Sequence, residues 1–415
     1  MMRVAHVSTT EKSGGAARAA HRLHVGLKRT SVASSMYVRE KQSEDETVQC
    51  FNPPGDFFSW ARRRWRHERV YRSITPYNRP NGYDKFSDDR TRYGRRVVEQ
   101  LPDADIYNLH FIANFVDIQA FFEQTTAPVV WTLHDMVAFT GGCHYTAGCS
   151  RFLDQCGCCP QLGSNNVADL SRAIYERKNE AYQSAIDSGR LQVVTPSRWL
   201  AKEARRSSLF SRAPIDVIPY GVDTNNFQPR KTDGLRETLG IPSSHRILLF
   251  VAGNTTKRRK GLTLLQGALQ QASLDDVTVV SIGGGNPPLE GMTHVHLGRI
   301  DSDLLLSVFY SMADIFVIPS RQDNLPNTVL ESLSCGTPIV GFNNGGIPDM
   351  VRPGETGWLA MEESSDALCD TISRALADNH HIQRLGEQCR AVATREYALE
   401  VQARKYTGLY NTLLQ

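Results

Sequence analysis

Two α/β domains, each carrying a mostly parallel, doubly wound Rossmann-like sheet, are what this sequence predicts. At 415 residues the chain exceeds one ordinary core and suits two. The same grammar of short apolar strand, glycine loop and amphipathic helix appears in both halves, and it is the grammar of parallel α/β sheets. A turn-rich stretch, Pro219-Tyr-Gly-Val-Asp223 to Pro229, lies between the halves. The expected organisation is a first domain over 1–218, a hinge at 219–230 and a second domain over 231–394. A last helix, 395–415, is expected to pack back on the first domain. Ligands of such sheets gather at the carboxyl ends of strands, so a cleft between the two facing sheets is the expected site.

The elements follow in order. Arg3 to Ser8 reads as a strand, Ser13-Gly14-Gly15 as a turn, and the next helix sets Ala16, Ala19, Ala20, Leu23 and Leu27 on one face. Val129 to Leu133 is a buried strand ending at His134-Asp135, and Val193 to Thr195 and Ile215 to Ile218 close this half. In the second half, Arg246 to Ala252, Val277 to Ile282, Asp314 to Pro319 and Pro338 to Phe342 read as strands separated by helices.

Composition excludes several classes. Hydrophobic residues at 40% and charged residues at 22% are ordinary for a globular protein, and a net charge of +3 gives no reason to expect nucleic acid. No apolar run reaches the ~20 residues that span a bilayer, and the N-terminus lacks the apolar core of a signal peptide. A cytoplasmic protein is expected, with room for peripheral attachment at the inner face of the membrane.

The most informative stretch is Ile318-Pro-Ser-Arg-Gln-Asp-Asn-Leu-Pro-Asn-Thr-Val-Leu-Glu-Ser-Leu-Ser-Cys-Gly-Thr-Pro-Ile-Val340. A strand gives way at Ser320 to a polar loop, and a helix is expected from Pro326 to Cys335, with proline at its first turn and Gly336 at its exit. The N–H groups of such a helix start hold phosphate well. Polar caps would explain any one of these residues, but not their combination. An acidic residue, seven intervening residues and a Glu, followed by Ser-Cys-Gly-Thr-Pro-Ile-Val, resembles the retaining GT-B glycosyltransferases of family 4, in particular their bacterial polysaccharide, colanic-acid-type members. The resemblance implies that Asp323 contacts donor-sugar hydroxyls, that Glu331 contacts the nucleoside ribose, and that backbone around Asn324, Leu325, Pro326 and Asn327 holds the diphosphate. The family's usual first acid is Glu; Asp323 is one methylene shorter.

Phe250 to Leu262 resembles the family's loop in which an Arg and a Lys neutralise the leaving diphosphate. Lys260 matches the Lys. Asn254 stands where the family has Arg, so the chain departs from the pattern, and Arg258 or Arg259 is left to compensate. Alone, this basic run would read as a solvated loop. In the first half, Gly14 and Gly15 resemble the loop that approaches the donor, although tight turns use Gly-Gly everywhere. His134 matches the family's catalytic-region His; a core His is usually structural, but one at a strand's carboxyl end points into the ligand crevice. His110, in Asn-Leu-His-Phe-Ile, occupies a similar rim position. The resemblance implies front-side transfer with retention, in which a fixed cation and helix amides stabilise the departing diphosphate and no metal takes part in catalysis. Asp103-Ala104-Asp105 and Asp301-Ser302-Asp303 look like metal-binding triplets; the second directly precedes Leu304-Leu305-Leu306 and reads as a helix cap.

Five of the nine cysteines fall between Cys143 and Cys159. In a reducing compartment such a cluster suggests metal or redox chemistry before disulfides. Cys143, Cys149, Cys156 and Cys159 are the best set for a structural zinc, with Cys158 spare; disulfides and unligated thiols are the alternatives. Residues 57–72 interleave six arginines with large aromatics. They read either as a helix lying on an anionic membrane or as a solvated helix whose aromatics cover the core. The expected function is glycosyl transfer from a nucleoside-diphosphate sugar to a sugar or lipid-diphosphate-linked acceptor. A sugar-nucleotide epimerase or hydrolase of the same fold is the alternative. The lack of Gly-x-Gly-x-x-Gly after the first strand argues against a nicotinamide oxidoreductase, and the set of Lys260, Asp323 and Glu331 argues against a non-catalytic scaffold.

Overall fold

In the computed structural model, which describes residues 1–253, 257–272, 276–285, 289 and 291–415, the chain divides into two units. Met1–Ile218 with Ala403–Gln415 form the first, and Pro219–Gln402 the second. The first sheet has seven parallel strands: β1 (Arg3–Thr10), β2 (Ala33–Glu40), β3 (Val48–Cys50), β4 (Ile106–Leu109), β5 (Val129–Thr132), β6 (Leu191–Thr195) and β7 (Ile215–Val217). Their spatial order is β3-β2-β1-β4-β5-β6-β7. The second sheet holds β8 (Arg246–Ala252), β9 (Val277–Gly283), β10 (Thr293–His296), β11 (Ile315–Ile318), β12 (Ile339–Phe342) and β13 (Gly357–Ala360), ordered β10-β9-β8-β11-β12-β13. Each order runs outward from its first strand, then restarts on that strand's other side. The switch points therefore lie between β1 and β4 and between β8 and β11, where doubly wound sheets take their ligands.

The first unit's helices are α1 (Gly15–Lys28), α2 (Phe57–Ile74), α3 (Ile118–Gln124), α4 (Leu170–Asp187) and α5 (Arg198–Arg206). Those of the second are α6 (Leu235–Thr238), α7 (Leu262–Gln271), α8 (Asp303–Met312), α9 (Asn327–Ser334), α10 (Ser365–Leu376) and α11 (Asn379–Glu396). The closing helix α12 (Leu399–Leu413) starts in the second unit and ends in the first. There Ala403, Tyr406 and Tyr410 join Val4, Leu27, Val130 and Val194 in one core. The two tyrosines also satisfy the sheet's buried polar groups: the Tyr406 hydroxyl lies 2.9 Å from Thr132 Oγ1 and that of Tyr410 2.6 Å from the Asn108 amide. The opposite face packs around Trp131, Phe139, Tyr182 and Phe210. In the second unit, Leu248, Phe250, Val279, Val317 and Val340 of the sheet meet Leu265, Leu269 and Ile372 of the helices.

Several strands escape a reading by apolar runs. β2, Ala-Ser-Ser-Met-Tyr-Val-Arg-Glu, and β4, Ile-Tyr-Asn-Leu, carry polar residues at positions that the structure buries, such as Ser34 and Asn108. The stretch 219–230 is tied into the second unit. The Val222 amide donates to the Tyr397 carbonyl (2.8 Å), and Phe227 is buried with its carbonyl taken by Ser334 and Arg390. Ser302 caps α8 by accepting from the Leu305 amide, and Asp105 pairs with Arg3 at 2.9 Å, which accounts for both aspartate triplets. Among the described residues, no helix is long and apolar enough to cross a membrane.

Candidate active site

The second unit concentrates charge at its switch point. Beyond β8, Arg258–Lys260 form a tight turn closed by Gly261 at φ +69°. A side chain on Gly261 would strike the carbonyl of Pro319, so glycine is what lets the loops after β8 and β11 touch. That contact brings Lys260 to Asp323. The Lys260 ammonium Nζ lies 2.6 Å from Asp323 Oδ2, Arg259 Nη1 lies 3.2 Å from Oδ1, and the Ser320 hydroxyl donates to Oδ2 at 3.3 Å. Arg259 also donates to the Gln322 carbonyl at 2.7 Å, which pins the guanidinium to the loop it neutralises. Burial pushes the Asp323 carboxyl up, but the Lys260 and Arg259 charges outweigh it and hold the group down to about 2. Asp323 is therefore a carboxylate at any physiological pH, buried with two cations. Its carbonyl accepts from the Gly346 amide (2.9 Å), fixing the loop from the far side.

Helix α9 follows at once. Asn324 and Leu325 are buried, and Pro326 stands at the N-cap in an extended conformation (φ −65°, ψ 123°), so the helix begins at Asn327, one residue later than the sequence suggested. Proline has no N–H, so Pro326 can give a diphosphate no backbone hydrogen bond; its part is to set the helix start. Glu331 is buried one turn further on, with Oε2 accepting from the Tyr310 hydroxyl at 3.3 Å. Tyr310 comes from α8, and nothing in its sequence neighbourhood marks it: only the packing of α8 beside α9 gives it a role. Asn254, the position of the family's arginine, lies outside the described residues. Of its two candidate substitutes, Arg259 is the one paired with Asp323.

The first unit's rim carries Glu11, paired with Lys12 at 3.4 Å, and a set of imidazoles. Gly14 (φ +91°) and Gly15 are exposed at the start of α1, directly after β1. Behind them runs a row of imidazoles. His6 Nδ1 lies 2.9 Å from His110 Nε2, and His110 Nδ1 lies 3.1 Å from His134 Nε2. Burial holds His6 and His110 well below the usual histidine range and His134 down to about 4, so all three are neutral. The buried His6 Nε2 has no partner. A bare lone pair there costs less than an orphaned N–H, which puts the proton on His6 Nδ1, makes His110 the donor through Nδ1 and makes His134 Nε2 the acceptor. His110 thus holds the ring of His134. Nothing in the sequence around His6, at the centre of β1, marks it out.

The loop beyond His134 is strongly anchored. His144 Nδ1 lies 2.7 Å from Asp135 and Nε2 2.8 Å from the Ser87 hydroxyl. The buried Lys178 ammonium donates to the carbonyls of Val137 and Thr140. The nine cysteines are free, and burial pushes the Cys143 thiol up to about 12 and that of Cys156 to about 11. Helix α2 buries none of its residues: Phe57, Phe58, Trp60, Trp65 and Tyr71 are all exposed. Its aromatics therefore do not cover the core; α2 meets the unit through other residues, Ile74 against the Leu162–Ile174 cluster and Arg66 at the Tyr93 carbonyl. Arg64 and Arg69 instead lie over the Trp60 and Trp65 rings.

Comparisons with known proteins agree with this architecture. The model of glycosyltransferase family 4 matches residues 13–226, just over half of the chain, and that of group 1 glycosyl transferases matches 245–378. The chain is 24% identical over 270 residues to the lipopolysaccharide 1,2-N-acetylglucosaminetransferase of Salmonella typhimurium, spanning 58% of this chain and 70% of that protein. Among solved structures, sucrose-phosphate synthase from Thermosynechococcus elongatus superposes with a TM-score of 0.68 at 18% identity, covering 100% of this chain and 99% of that one. Anabaena HepE in complex with UDP-glucose gives 0.64 at 14%, covering 99% and 100%. These likenesses show the GT-B fold. With both halves matched by glycosyltransferase models, the chain belongs to glycosyltransferase family 4.

Proposed function

We propose that this enzyme transfers a glycosyl unit from a nucleoside-diphosphate sugar to a sugar or lipid-linked oligosaccharide acceptor, with retention of configuration, in the assembly of a bacterial surface polysaccharide. The observation that carries the reading is the buried Asp323 held between Lys260 and Arg259 at the second sheet's switch point, directly before α9. A diphosphate leaving a sugar needs fixed positive charge where its own charge develops, and a buried carboxylate nearby can accept from sugar hydroxyls. Lys260, Arg259 and the amides at the start of α9 meet the diphosphate, Asp323 orients the sugar, and Glu331 accepts from the ribose. In the transfer, the acceptor oxygen bonds to the anomeric carbon as the bond to the diphosphate breaks, and the acceptor proton passes to the departing phosphate oxygen. Gly14, Gly15 and His134 enter as the first unit's contribution to catalysis and donor binding. No metal or other cofactor is assigned to this step.

The named relatives support this reading: one acts on lipopolysaccharide by its name, and one solved neighbour holds UDP-glucose. Helix α2 supports a membrane-borne acceptor. Its exposed Phe57, Phe58, Trp60 and Trp65 alternate with Arg62, Arg63, Arg64, Arg66, Arg69 and Arg72, a composition that suits the headgroup layer of an anionic bilayer at the inner face of the cytoplasmic membrane.

The test is a panel of UDP-, GDP- and ADP-sugars screened for thermal stabilisation, followed by assays with lipid-diphosphate-linked glycans. An axial donor giving an axial product by proton NMR is the expected result. An inverted product removes retention. Conversion to an epimer or to free sugar without any acceptor removes the transferase reading.

A further inference from the structure

The cysteine loop has no part in the donor chemistry above, yet it brings four thiols to one point. Cys143, Cys149, Cys156 and Cys159 all line a cavity of about 20 Å³ in the first unit, room for a single water-sized particle. The geometry points to a structural zinc site formed by these four cysteines.

Cys159 and Cys156 also pack against apolar neighbours, but packing is not all that these thiols do. Small apolar fillers in a close-packed interior occupy space, whereas these rim a void. The fifth cysteine separates from them: Cys158 Sγ turns to the Asn165 carbonyl at 3.3 Å and does not line the cavity. The backbone is shaped to make that division. Cys156 (φ 60°), Gly157 (φ 95°) and Cys158 (φ 42°) form a left-handed run, a conformation that non-glycine residues rarely adopt. Such a run persists where its surroundings demand it. The Gly141 amide donates to Cys156 Sγ at 3.2 Å, the kind of outer hydrogen bond that orients a ligating thiolate.

The frame around the thiols is held by other bonds. Lys178 takes the carbonyls of Val137 and Thr140, the Cys159 amide donates to Asp169 Oδ2 at 2.7 Å, and Gln161 Nε2 donates to the Tyr145 carbonyl at 2.6 Å. The loop thus delivers its thiols to one cavity before any ion arrives. As the side chains stand, no group of three or more His, Cys, Asp or Glu among the described residues closes to the distance at which it could hold a metal. Zinc bonds sulfur at about 2.3 Å, so the four side chains would have to move together around the cavity to hold it. Each thiol gives its proton to solvent as it ligates. Four thiolates around Zn²⁺ leave a net double negative charge, and Arg151 lines the same cavity to offset it.

The experiment is elemental analysis of the reduced full-length protein, purified from zinc-replete medium without added chelator. One zinc per chain is expected, retained in Cys158→Ser and lost in Cys149→Ser. Exchange with Co²⁺ should give the intense absorption of a tetrahedral thiolate site. Substoichiometric zinc with all nine thiols titratable in the native protein would overturn the site, and so would a disulfide within the loop mapped by mass spectrometry. If Cys149→Ser fails to fold, the wild-type stoichiometry, the Co²⁺ spectrum and the Cys158→Ser control still decide. None of these readouts depends on transferase activity, so this site and the donor-site reading fail separately.

Discussion

The two sheets share a strand order around their switch points but bury different polar groups beside them. The second sheet sets a buried carboxylate between two cations, Asp323 with Lys260 and Arg259. The first sets neutral imidazoles in a row, His6, His110 and His134. Both solve the cost of burying polar groups, one by pairing charges and the other by staying uncharged and hydrogen-bonded. One topology therefore supplies a site that can meet a developing phosphate charge and another that can position a neutral ring.

The difference should first appear in acid. The buried histidines have folded values below their unfolded ones, so they contribute stability above about pH 6.5 that is lost as pH falls through the folded values, about 4 for His134 and His24. Each adds up to about 1.4 kcal/mol per pH unit to the slope across that window. Asp323, lowered to about 2, contributes stability present above about pH 4 and lost only as pH falls toward 2. Thermal melts from pH 7 to 4 should fall steeply, and a His6→Phe variant should flatten that fall. A profile flat down to pH 4 would mean the imidazoles are not buried neutral.

Next in size is Lys260→Ala. It should lower turnover about 10²–10³-fold, as loss of one charge stabiliser does, with the fold intact because Arg259 still pairs with Asp323. Unchanged turnover in the folded variant would break the assignment of the charged rim to the leaving group.

Glu331→Gln should weaken nucleoside-diphosphate binding roughly 10- to 100-fold, the worth of a hydrogen bond to a charged group, with a smaller effect on the chemical step. Calorimetry with UDP, GDP and ADP measures it, and equal affinity in the variant would remove the ribose role. The smallest effect belongs to Tyr310→Phe, which leaves Glu331 in place without its hydroxyl donor. A roughly two- to tenfold loss of the same affinity is expected; no change would leave Tyr310 as packing alone.

Local chemistry by itself determined much of this protein. Apolar runs marked β8, β9, β11 and β12, the start of α9 was written as a proline followed by an amphipathic turn, and Asp323 and Glu331 stood out by their spacing. These features depend on neighbours in the chain, so periodicity and turn chemistry reveal them. The strands β2 and β4 were not legible as apolar runs, because each carries polar residues at buried positions that side chains outside the strand satisfy, as Tyr410 does for Asn108. The same holds for the site. Lys260 and Asp323 are 63 positions apart and His6 and His110 are 104 apart, so only the sheet's switch points bring them within hydrogen-bond reach. Which of Arg258 and Arg259 pairs with Asp323, whether the aromatics of α2 cover the core, and that Cys158 turns away from the cavity were decided by tertiary packing alone. In each case the deciding quantity was a side chain's surroundings, which a linear order of residues does not contain.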